Sequence, residues 1–216
     1  MDYYPLALKI TGWGCLVVGG GPVAFRRAER FCRAGGKVRV VSPSIVDDFN
    51  GLKNIEYRAK PFDESDLDGV FIAQAATNDA DVNRTVAKLC KDRGILVNVG
   101  DDFMYSDYLV PMLVERGDLQ VTITTNGASP AFGKWLKQRL EGWLPPEMEQ
   151  FIAFLGHARE QGKERIRDDH ARAELARLLA SPESYQKFLK IDPAGRERWL
   201  EQLLNEYAGR DAESAS

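Results

Sequence analysis

A glycine-rich turn near the start of the chain has the spacing of a phosphate-binding loop. Gly19, Gly21 and Ala24 form a Gly-x-Gly-x-x-Ala pattern after an apolar run. Gly19 permits a tight turn, Gly21 has no side chain to keep a pyrophosphate from the backbone, and Ala24 lets a helix pack closely on the strand. The N–H groups of that helix N-terminus then face the phosphates. With a strand before it and a helix after it, the motif predicts dinucleotide binding; an ordinary glycine turn is the alternative.

The predicted cofactor site includes the ends of two further strands, because ligands of a doubly wound sheet bind beyond the carboxyl ends of its strands. For Ser42 and its neighbours, contact with the adenosine ribose and a loop with a helix N-cap are equal alternatives. An acidic residue for the ribose 2′-hydroxyl is missing there, which leaves the choice between NAD and NADP open, so that NADP is not excluded. Thr77 and Asn78 are equally explained as a helix cap. The predicted cofactor-binding residues are Gly19, Gly20, Gly21, Pro22, Val23, Ser42, Pro43, Ser44, Thr77 and Asn78.

Asp101 is the predicted catalytic residue. It follows an apolar strand at the expected ligand-binding edge, close to where a nicotinamide ring would lie. A carboxylate partly buried at this edge has a raised pKa and can serve as a general base. A turn aspartate that caps its own loop is an equal alternative, and Asp102 competes with Asp101 as the active carboxylate.

Composition and charge exclude several classes of protein. The chain has 216 residues, a net charge of -3 and 44% hydrophobic residues, which are globular values without the basic excess of a nucleic-acid binder. No apolar run approaches membrane-spanning length and the start lacks a signal-peptide pattern, so we expect a cytoplasmic protein without membrane contact. The three cysteines and two histidines are scattered, and neither a metal site nor a disulfide framework is predicted.

The elements that position these residues alternate between strand and helix in the first half of the chain. Four strands are predicted after the first, at residues 37–41, 55–60, 70–76 and 95–99. Apolar residues at helical spacing fall between strands, as in Ala24, Ala28, Phe31 and Cys32. This alternation predicts an α/β fold with a Rossmann-type, doubly wound parallel sheet.

The second half of the chain has a different pattern. Two β-rich runs, 108–115 and 119–125, flank Arg116-Gly117-Asp118 and predict a hairpin, and the sequence beyond Pro145-Pro146 is helical. An isolated hairpin is marginally stable in water, so a homodimer is expected. The predicted domains are an NAD-binding Rossmann domain at 1–112, a dimerisation hairpin and helix at 113–144, and a helical C-terminal domain at 145–216.

Four segments of the chain resemble the dehydrogenase/ferrochelatase module of siroheme synthases in their order and spacing. They are residues 17–24, 75–78, 98–101 and 125–130, and the resemblance covers nearly the whole chain. It implies oxidation of precorrin-2 to sirohydrochlorin with NAD as the hydride acceptor, and in some members insertion of Fe²⁺, as a substrate, to give siroheme.

The resemblance also implies roles for individual residues and partners. It implies a catalytic aspartate at Asp101, a domain-interlocked homodimer, and nucleotide contacts at Pro22, Val23, Pro43 and Ser44. The methyltransferase domain fused to some members has no counterpart here, so precorrin-2 is expected from a separate uroporphyrinogen methyltransferase. The alternative function is an NAD(H)-sensing regulatory module without catalysis. Such modules usually retain the ribose-binding acid, which is missing at Ser42.

The substrate implied by the resemblance carries many carboxylates, which require cations or helix N-termini. A polar strand end at Thr125 leads through Gly127 to a helix that begins after Ser129, and Lys134 lies in the second turn of that helix. Such a helix terminus attracts carboxylates. The predicted substrate-binding residues are Asn98, Thr125, Gly127, Ser129 and Lys134.

Overall fold

The computed structural model describes residues 3–100 and 102–214. The chain divides into two compact units, Met1–Val110 and Pro111–Ser216. The further division predicted at residue 144 stays a prediction. Asp101 lies outside the described residues.

The first unit contains a parallel sheet of five strands, as the alternation of strands and helices predicts. The strand order is β3-β2-β1-β4-β5, with every neighbouring pair parallel. The pairing places Val41, Val18, Ala75 and Val99 in one row across the sheet, so four strands end at the same edge. The strands are β1 (Gly14–Val18), β2 (Lys37–Val41), β3 (Ile55–Arg58), β4 (Val70–Ala75) and β5 (Leu96–Val99).

Two helices cover opposite faces of this sheet. Cys15 and Val17 pack with α1 (Pro22–Arg33), whereas Leu16 and Val18 pack in the cluster that contains α2 (Ala80–Asp92). Successive side chains of a strand point to opposite faces, so the apolar run of β1 is buried on both sides. This arrangement confirms the doubly wound sheet.

The segment after β5 differs from the sequence prediction. A strand is predicted to begin at residue 108, but β6 begins only at Met112. The backbone N–H of Asp107 donates to the Val97 carbonyl over 2.8 Å, and the Tyr108 hydroxyl donates to the Ala73 carbonyl over 3.0 Å. Residues 106–108 therefore line the open edge of β5 and are not available to the hairpin.

A buried carboxylate joins the loops after β3. Asp66 accepts hydrogen bonds from the Asp63 backbone over 3.0 Å, from Lys60 over 2.7 Å and from Arg58 over 2.7 Å. Burial by itself would raise the pKa of Asp66, but these hydrogen bonds outweigh it and hold the pKa below its ordinary value. A carboxyl group whose pKa is lowered by folding stabilises the protein at neutral pH, and this contribution is lost as the pH falls through the folded-state pKa.

We expect Asp66→Asn to lower the free energy of unfolding at pH 7 by about 2 kcal/mol, because buried hydrogen-bond partners lose their acceptor. The difference from wild type should shrink as the pH falls and Asp66 itself becomes protonated. Urea unfolding at a series of pH values measures both effects. Asp68→Asn is the control, since Asp68 is exposed and its ion pair with Arg93 contributes little. Equal stability of both variants across the series would contradict this role of Asp66.

The second unit begins with an antiparallel hairpin, β6 (Met112–Arg116) and β7 (Leu119–Ile123), followed by α3 (Pro130–Trp143). Arg116 ties the hairpin to the end of α3, because its guanidinium donates to the carbonyls of Leu144 over 2.6 Å and Glu141 over 3.1 Å. The remaining elements are helical, as predicted for the sequence beyond residue 145. They are α4 (Met148–Arg165), α5 (Asp169–Leu179), α6 (Pro182–Lys190) and α7 (Pro193–Ser214).

The four later helices have their own core, which includes Phe151, Phe154, Phe188, Trp199 and Leu204. Phe154 stacks on Trp199 with ring centroids 5.5 Å apart. Within residues 3–100 and 102–214, none of the helices combines the length and apolar character needed to cross a membrane.

Candidate functional site

The glycine turn after β1 is pressed between two neighbouring loops and open on one side. Gly19 has φ +131°, and a Cβ there would lie 2.4 Å from the Ala76 carbonyl oxygen. A Cβ at Gly20 would lie 1.8 Å from the Ser44 carbonyl oxygen, whereas one at Gly21 would meet no described atom within 4 Å. Gly19 and Gly20 therefore shape the turn, and Gly21 leaves space in front of it.

The open side of the turn faces the start of α1. Gly21 is the N-cap of this helix, Pro22 is its first residue, and no described side chain caps it. Proline at this position loses no helical hydrogen bond, and the N–H groups that follow lack partners within the helix. Val23 is exposed beside them. The turn thus offers uncapped N–H groups and the positive end of a helix dipole to an anion such as a pyrophosphate.

The loop after β2 contacts the glycine turn and is itself held by hydrogen bonds. The hydroxyl of Ser42 is buried and donates to the Ser44 carbonyl over 2.6 Å, and the Ser42 carbonyl accepts from the Tyr57 hydroxyl over 3.1 Å. The Val46 N–H donates to the Gly20 carbonyl over 2.9 Å. Pro43 and Ser44 are exposed at this edge. The Ser42 hydroxyl fixes the conformation of this loop, and Pro43 and Ser44 lie on its exposed surface. Their contact with a ribose stays a prediction.

The loop after β4 is fixed to α2 by side chains. Asn83 accepts from the Thr77 backbone N–H over 3.1 Å and donates to the Thr77 carbonyl over 3.0 Å. The helix cap is Asp79, whose carboxylate accepts from the N–H groups of Asp81 and Val82. Asn78 is exposed between Thr77 and Asp79. The capping role that the sequence left open for Thr77 and Asn78 therefore falls to Asp79.

The segment after β5 carries the candidate carboxylates. The N–H of Gly100 donates to the Ala75 carbonyl over 3.0 Å, which keeps the end of β5 beside β4. Asp102 accepts from the Met104 N–H over 3.2 Å and caps a short 3-10 turn, Phe103–Tyr105. Asp101, the predicted base, is not among the described residues, so its catalytic role stays a prediction. Asp102, the competing carboxylate, is the residue that caps this turn.

Asn98, a predicted substrate-binding residue, is buried behind this segment. Its Nδ2 donates to the Tyr108 carbonyl over 2.9 Å, and its Oδ1 has no hydrogen-bond partner among the residues that the structure describes. Gln74, on the next strand, donates to the Tyr108 hydroxyl over 2.6 Å. Burial raises the pKa of Tyr108, so its hydroxyl remains protonated. Asn98 holds the segment after β5 rather than offering an exposed amide.

Gln74 and Tyr108 were missed by the sequence analysis. A polar side chain at position 74 in the apolar run 70–76 was the available signal, because a buried amide needs a partner. That partner, Tyr108, lies 34 residues further along the chain, and nothing in the local sequence pattern identifies it.

The other predicted substrate-binding residues lie in the second unit, in the turn before α3. Asn126 and Gly127 have φ values of +50° and +81°, and the Ser129 N–H donates to the Thr125 hydroxyl over 3.1 Å. The Ser129 hydroxyl caps α3 by accepting from Phe132 N–H over 3.2 Å. Lys134 is exposed on α3. This turn presents a helix N-terminus and one cation, which suit a carboxylate.

Two of the cysteine thiols are buried in the described part of the chain, and its possible metal-ligating side chains are dispersed. It contains no group of three His, Cys, Asp or Glu side chains placed to hold a metal ion. Burial raises the pKa of the Cys15 thiol to about 11 and that of Cys90 to about 12, so both thiols are protonated at neutral pH.

Both units of the chain contain a segment that matches a known protein family. Residues 6–112 match the family model NAD_binding_7, for NAD(P)-binding domains, and residues 116–142 match the model of the sirohaem biosynthesis protein central region. The siroheme synthase of Thioalkalivibrio sulfidiphilus (strain HL-EbGR7) is 34% identical over 98% of this chain and 44% of its own length. This chain belongs to the siroheme synthase family. The resemblance inferred from four short segments is confirmed.

Further relatives define how much of the family the chain represents. The siroheme synthase of Chromobacterium violaceum is 36% identical over 80% of this chain and 37% of its own length. The chain thus spans less than half the length of these curated relatives. The solved structure of "SirC, precorrin-2 dehydrogenase" superposes with a TM-score of 0.78 at 28% identity, covering 93% of this chain and 98% of that one. The open space at Gly21 and the uncapped start of α1 fit the NAD cofactor of this family.

Proposed function

We propose that this protein oxidises precorrin-2 to sirohydrochlorin with NAD⁺ as the hydride acceptor. The main support is the likeness to a precorrin-2 dehydrogenase over 93% of the chain, together with a glycine turn open to a pyrophosphate. The reaction removes two hydrogens from the tetrapyrrole: one leaves as a hydride, and the other leaves as a proton. Sirohydrochlorin, NADH and H⁺ are the products.

The residues of this chain supply binding, orientation and proton transfer. NAD⁺, when bound, supplies the hydride acceptor. Gly21 and the start of α1 bind its pyrophosphate, and Pro43 and Ser44 lie where its adenosine ribose would be. Asp101 accepts the proton as a general base, with Asp102 as the competing carboxylate. In the second unit, the N-terminus of α3 at Ser129 and the cation of Lys134 bind carboxylates of the substrate.

An anaerobic assay with precorrin-2 tests the proposal. We expect the absorbance of NADH and sirohydrochlorin to rise together with NAD⁺, and NADP⁺ in a parallel reaction measures cofactor preference. Adding Fe²⁺ to the product, against a control without enzyme, tests iron insertion as a second step, with iron as a substrate. Binding of NADH without any turnover of precorrin-2 would contradict the proposal and favour the NAD(H)-sensing module.

We also propose that the protein is a homodimer whose interface includes α3. One side of α3 packs on the hairpin, since a Cβ at Gly133 would lie 3.3 Å from Cε of Met112. Phe132, Trp135 and Trp143 are exposed on this helix, Trp143 by 75%. The Phe132 and Trp135 ring centroids lie 5.3 Å apart, and exposed apolar patches of this kind mark protein interfaces. A two-stranded hairpin also gains stability from a partner. A second copy of the chain is the proposed partner.

We expect Trp135→Glu to weaken dimerisation by at least about 2 kcal/mol, since a buried tryptophan is often a dominant interface residue. Sedimentation velocity over a range of protein concentrations measures the change. Leu189→Glu, at an exposed leucine of α6, is the control and should keep the wild-type distribution. A monomeric wild type, or a Trp135→Glu dimer of unchanged affinity, would contradict the α3 interface.

A further inference from the structure

Three consecutive apolar side chains are exposed after the carboxyl end of β5. Phe103, Met104 and Tyr105 have exposed fractions of 51%, 90% and 46%. They form the short 3-10 turn that Asp102 caps. Exposed apolar residues scattered singly are ordinary, but an adjacent group of this size at a ligand-binding edge points to a partner surface. We call these three residues the apolar platform.

The apolar platform is held in place from both ends. Before it, the Asp102 N–H donates to the Val99 carbonyl over 2.8 Å. After it, the Ser106 hydroxyl donates to the Asp102 carbonyl over 2.9 Å and accepts from the Val99 N–H over 2.9 Å. The backbone of the platform is therefore closed onto the end of β5. Rigid presentation lowers the entropic cost of binding a ligand.

The position of the platform relative to the proposed cofactor site indicates which kind of ligand it contacts. Val18 and Val99 lie in the same row of the sheet, so the glycine turn and the segment after β5 leave the sheet at one edge. One strand, β4, separates them, and strands in a sheet are about 4.8 Å apart, which places the two strand ends about 10 Å from each other. A flat substrate next to a bound nicotinamide would reach this far along the edge.

A cation borders the platform. The guanidinium carbon of Arg84, on α2, lies 5.9 Å from the centroid of the Tyr105 ring. Arg84 also pairs with Asp81 over 3.2 Å, and the Arg84 side chain remains half exposed. An apolar surface with a cation at its rim is complementary to a planar ring system that carries peripheral carboxylates.

We infer that Phe103, Met104 and Tyr105 form the surface on which one face of the tetrapyrrole lies, with Arg84 directed to a peripheral carboxylate. This inference rests on the proposed function and deepens it. The platform orients the macrocycle against the nicotinamide and takes no part in hydride or proton transfer. Removal of a contact that only holds the substrate therefore raises KM and weakens product binding, and it leaves the proton-transfer step unchanged.

Titration of sirohydrochlorin under anaerobic conditions tests the platform directly, with the intrinsic fluorescence of the ligand as the signal. We expect Met104→Ala and Tyr105→Ala each to raise the dissociation constant about fivefold, because single apolar and aromatic contacts contribute this much. The KM for precorrin-2 should rise in parallel, whereas the dissociation constant of NADH should not change. Trp13→Leu is the control, since Trp13 precedes β1 at the opposite edge and is 42% exposed, close to the 46% of Tyr105.

The outcomes separate this inference from the proposed function. Wild-type turnover of precorrin-2 with unchanged sirohydrochlorin affinity in both variants would overturn the platform and leave the proposed function standing. A changed oligomeric state of Met104→Ala, with tetrapyrrole affinity unaltered, would also overturn it and assign the surface to a second copy of the chain. A wild type that neither turns over precorrin-2 nor binds sirohydrochlorin would contradict both.

Discussion

Replacement of Asp101 by asparagine is expected to lower kcat for precorrin-2 oxidation by about 10²- to 10⁴-fold, which is the usual contribution of a general base. Asparagine has nearly the size of aspartate but cannot accept the proton that leaves the tetrapyrrole. The proposed cofactor site comprises the glycine turn and the loops after β2 and β4, so the dissociation constant of NADH should stay at its wild-type value. Single-turnover absorbance measures the rate, and NADH fluorescence measures the binding.

Asp102→Asn is the matched control for Asp101→Asn. The Asp102 carboxylate accepts from the Met104 N–H, and asparagine is an equally good N-cap. We therefore expect the 3-10 turn to persist and kcat to remain near the wild-type value. The reverse pattern, with Asp102→Asn inactive and Asp101→Asn active, would assign the base to Asp102. Full activity of both variants would remove the carboxylate mechanism.

Local sequence patterns predicted most of the secondary structure of the first unit. Apolar runs and helical stripes in alternation predict the parallel sheet, because each element buries a face of recognisable period. The predicted start of β6 was wrong because contacts between distant parts of the chain hold Tyr108 elsewhere. Tyr108 has strong β propensity, yet its carbonyl accepts from Asn98 of β5 and its hydroxyl donates to the Ala73 carbonyl of β4. Propensity gives way when long-range hydrogen bonds compete.

Some residues of the candidate site could likewise be recognised from local sequence, and the roles of others could not. The glycines and Pro22 are recognisable because backbone geometry alone dictates their types. Ser42 was predicted with two equal alternatives, a ribose contact or a loop with a helix N-cap, and Asn98 was predicted to contact the substrate. Both side chains are buried and hydrogen-bond to neighbouring segments, while their ligand contacts stay predictions. A polar residue at a strand end reads the same in sequence whether it points to a ligand or back into the chain. Only the partner atoms distinguish the two.

Gly20→Ala and Gly21→Ala are both expected to weaken NADH binding, but only Gly20→Ala is expected to destabilise the fold. A methyl group at Gly20 would lie 1.8 Å from the Ser44 carbonyl oxygen and 2.7 Å from Oγ of Ser42, so the loop after β2 must move. Overpacking against backbone of this kind costs about 3 kcal/mol. We expect Gly20→Ala to melt at a clearly lower temperature and to lose NADH binding as a consequence.

Gly21→Ala should fold as the wild type does. Its φ of -84° and ψ of -177° suit any residue, and the added methyl group meets no described atom within 4 Å. That methyl group would instead occupy the space through which a pyrophosphate approaches the start of α1. We expect an unchanged melting temperature and a dissociation constant for NADH raised at least about tenfold, equivalent to 1.4 kcal/mol. Thermal unfolding and fluorescence titration of both variants separate the two effects. Wild-type NADH affinity in Gly21→Ala would place the cofactor elsewhere, because the added methyl group occupies the space in front of the helix N-terminus.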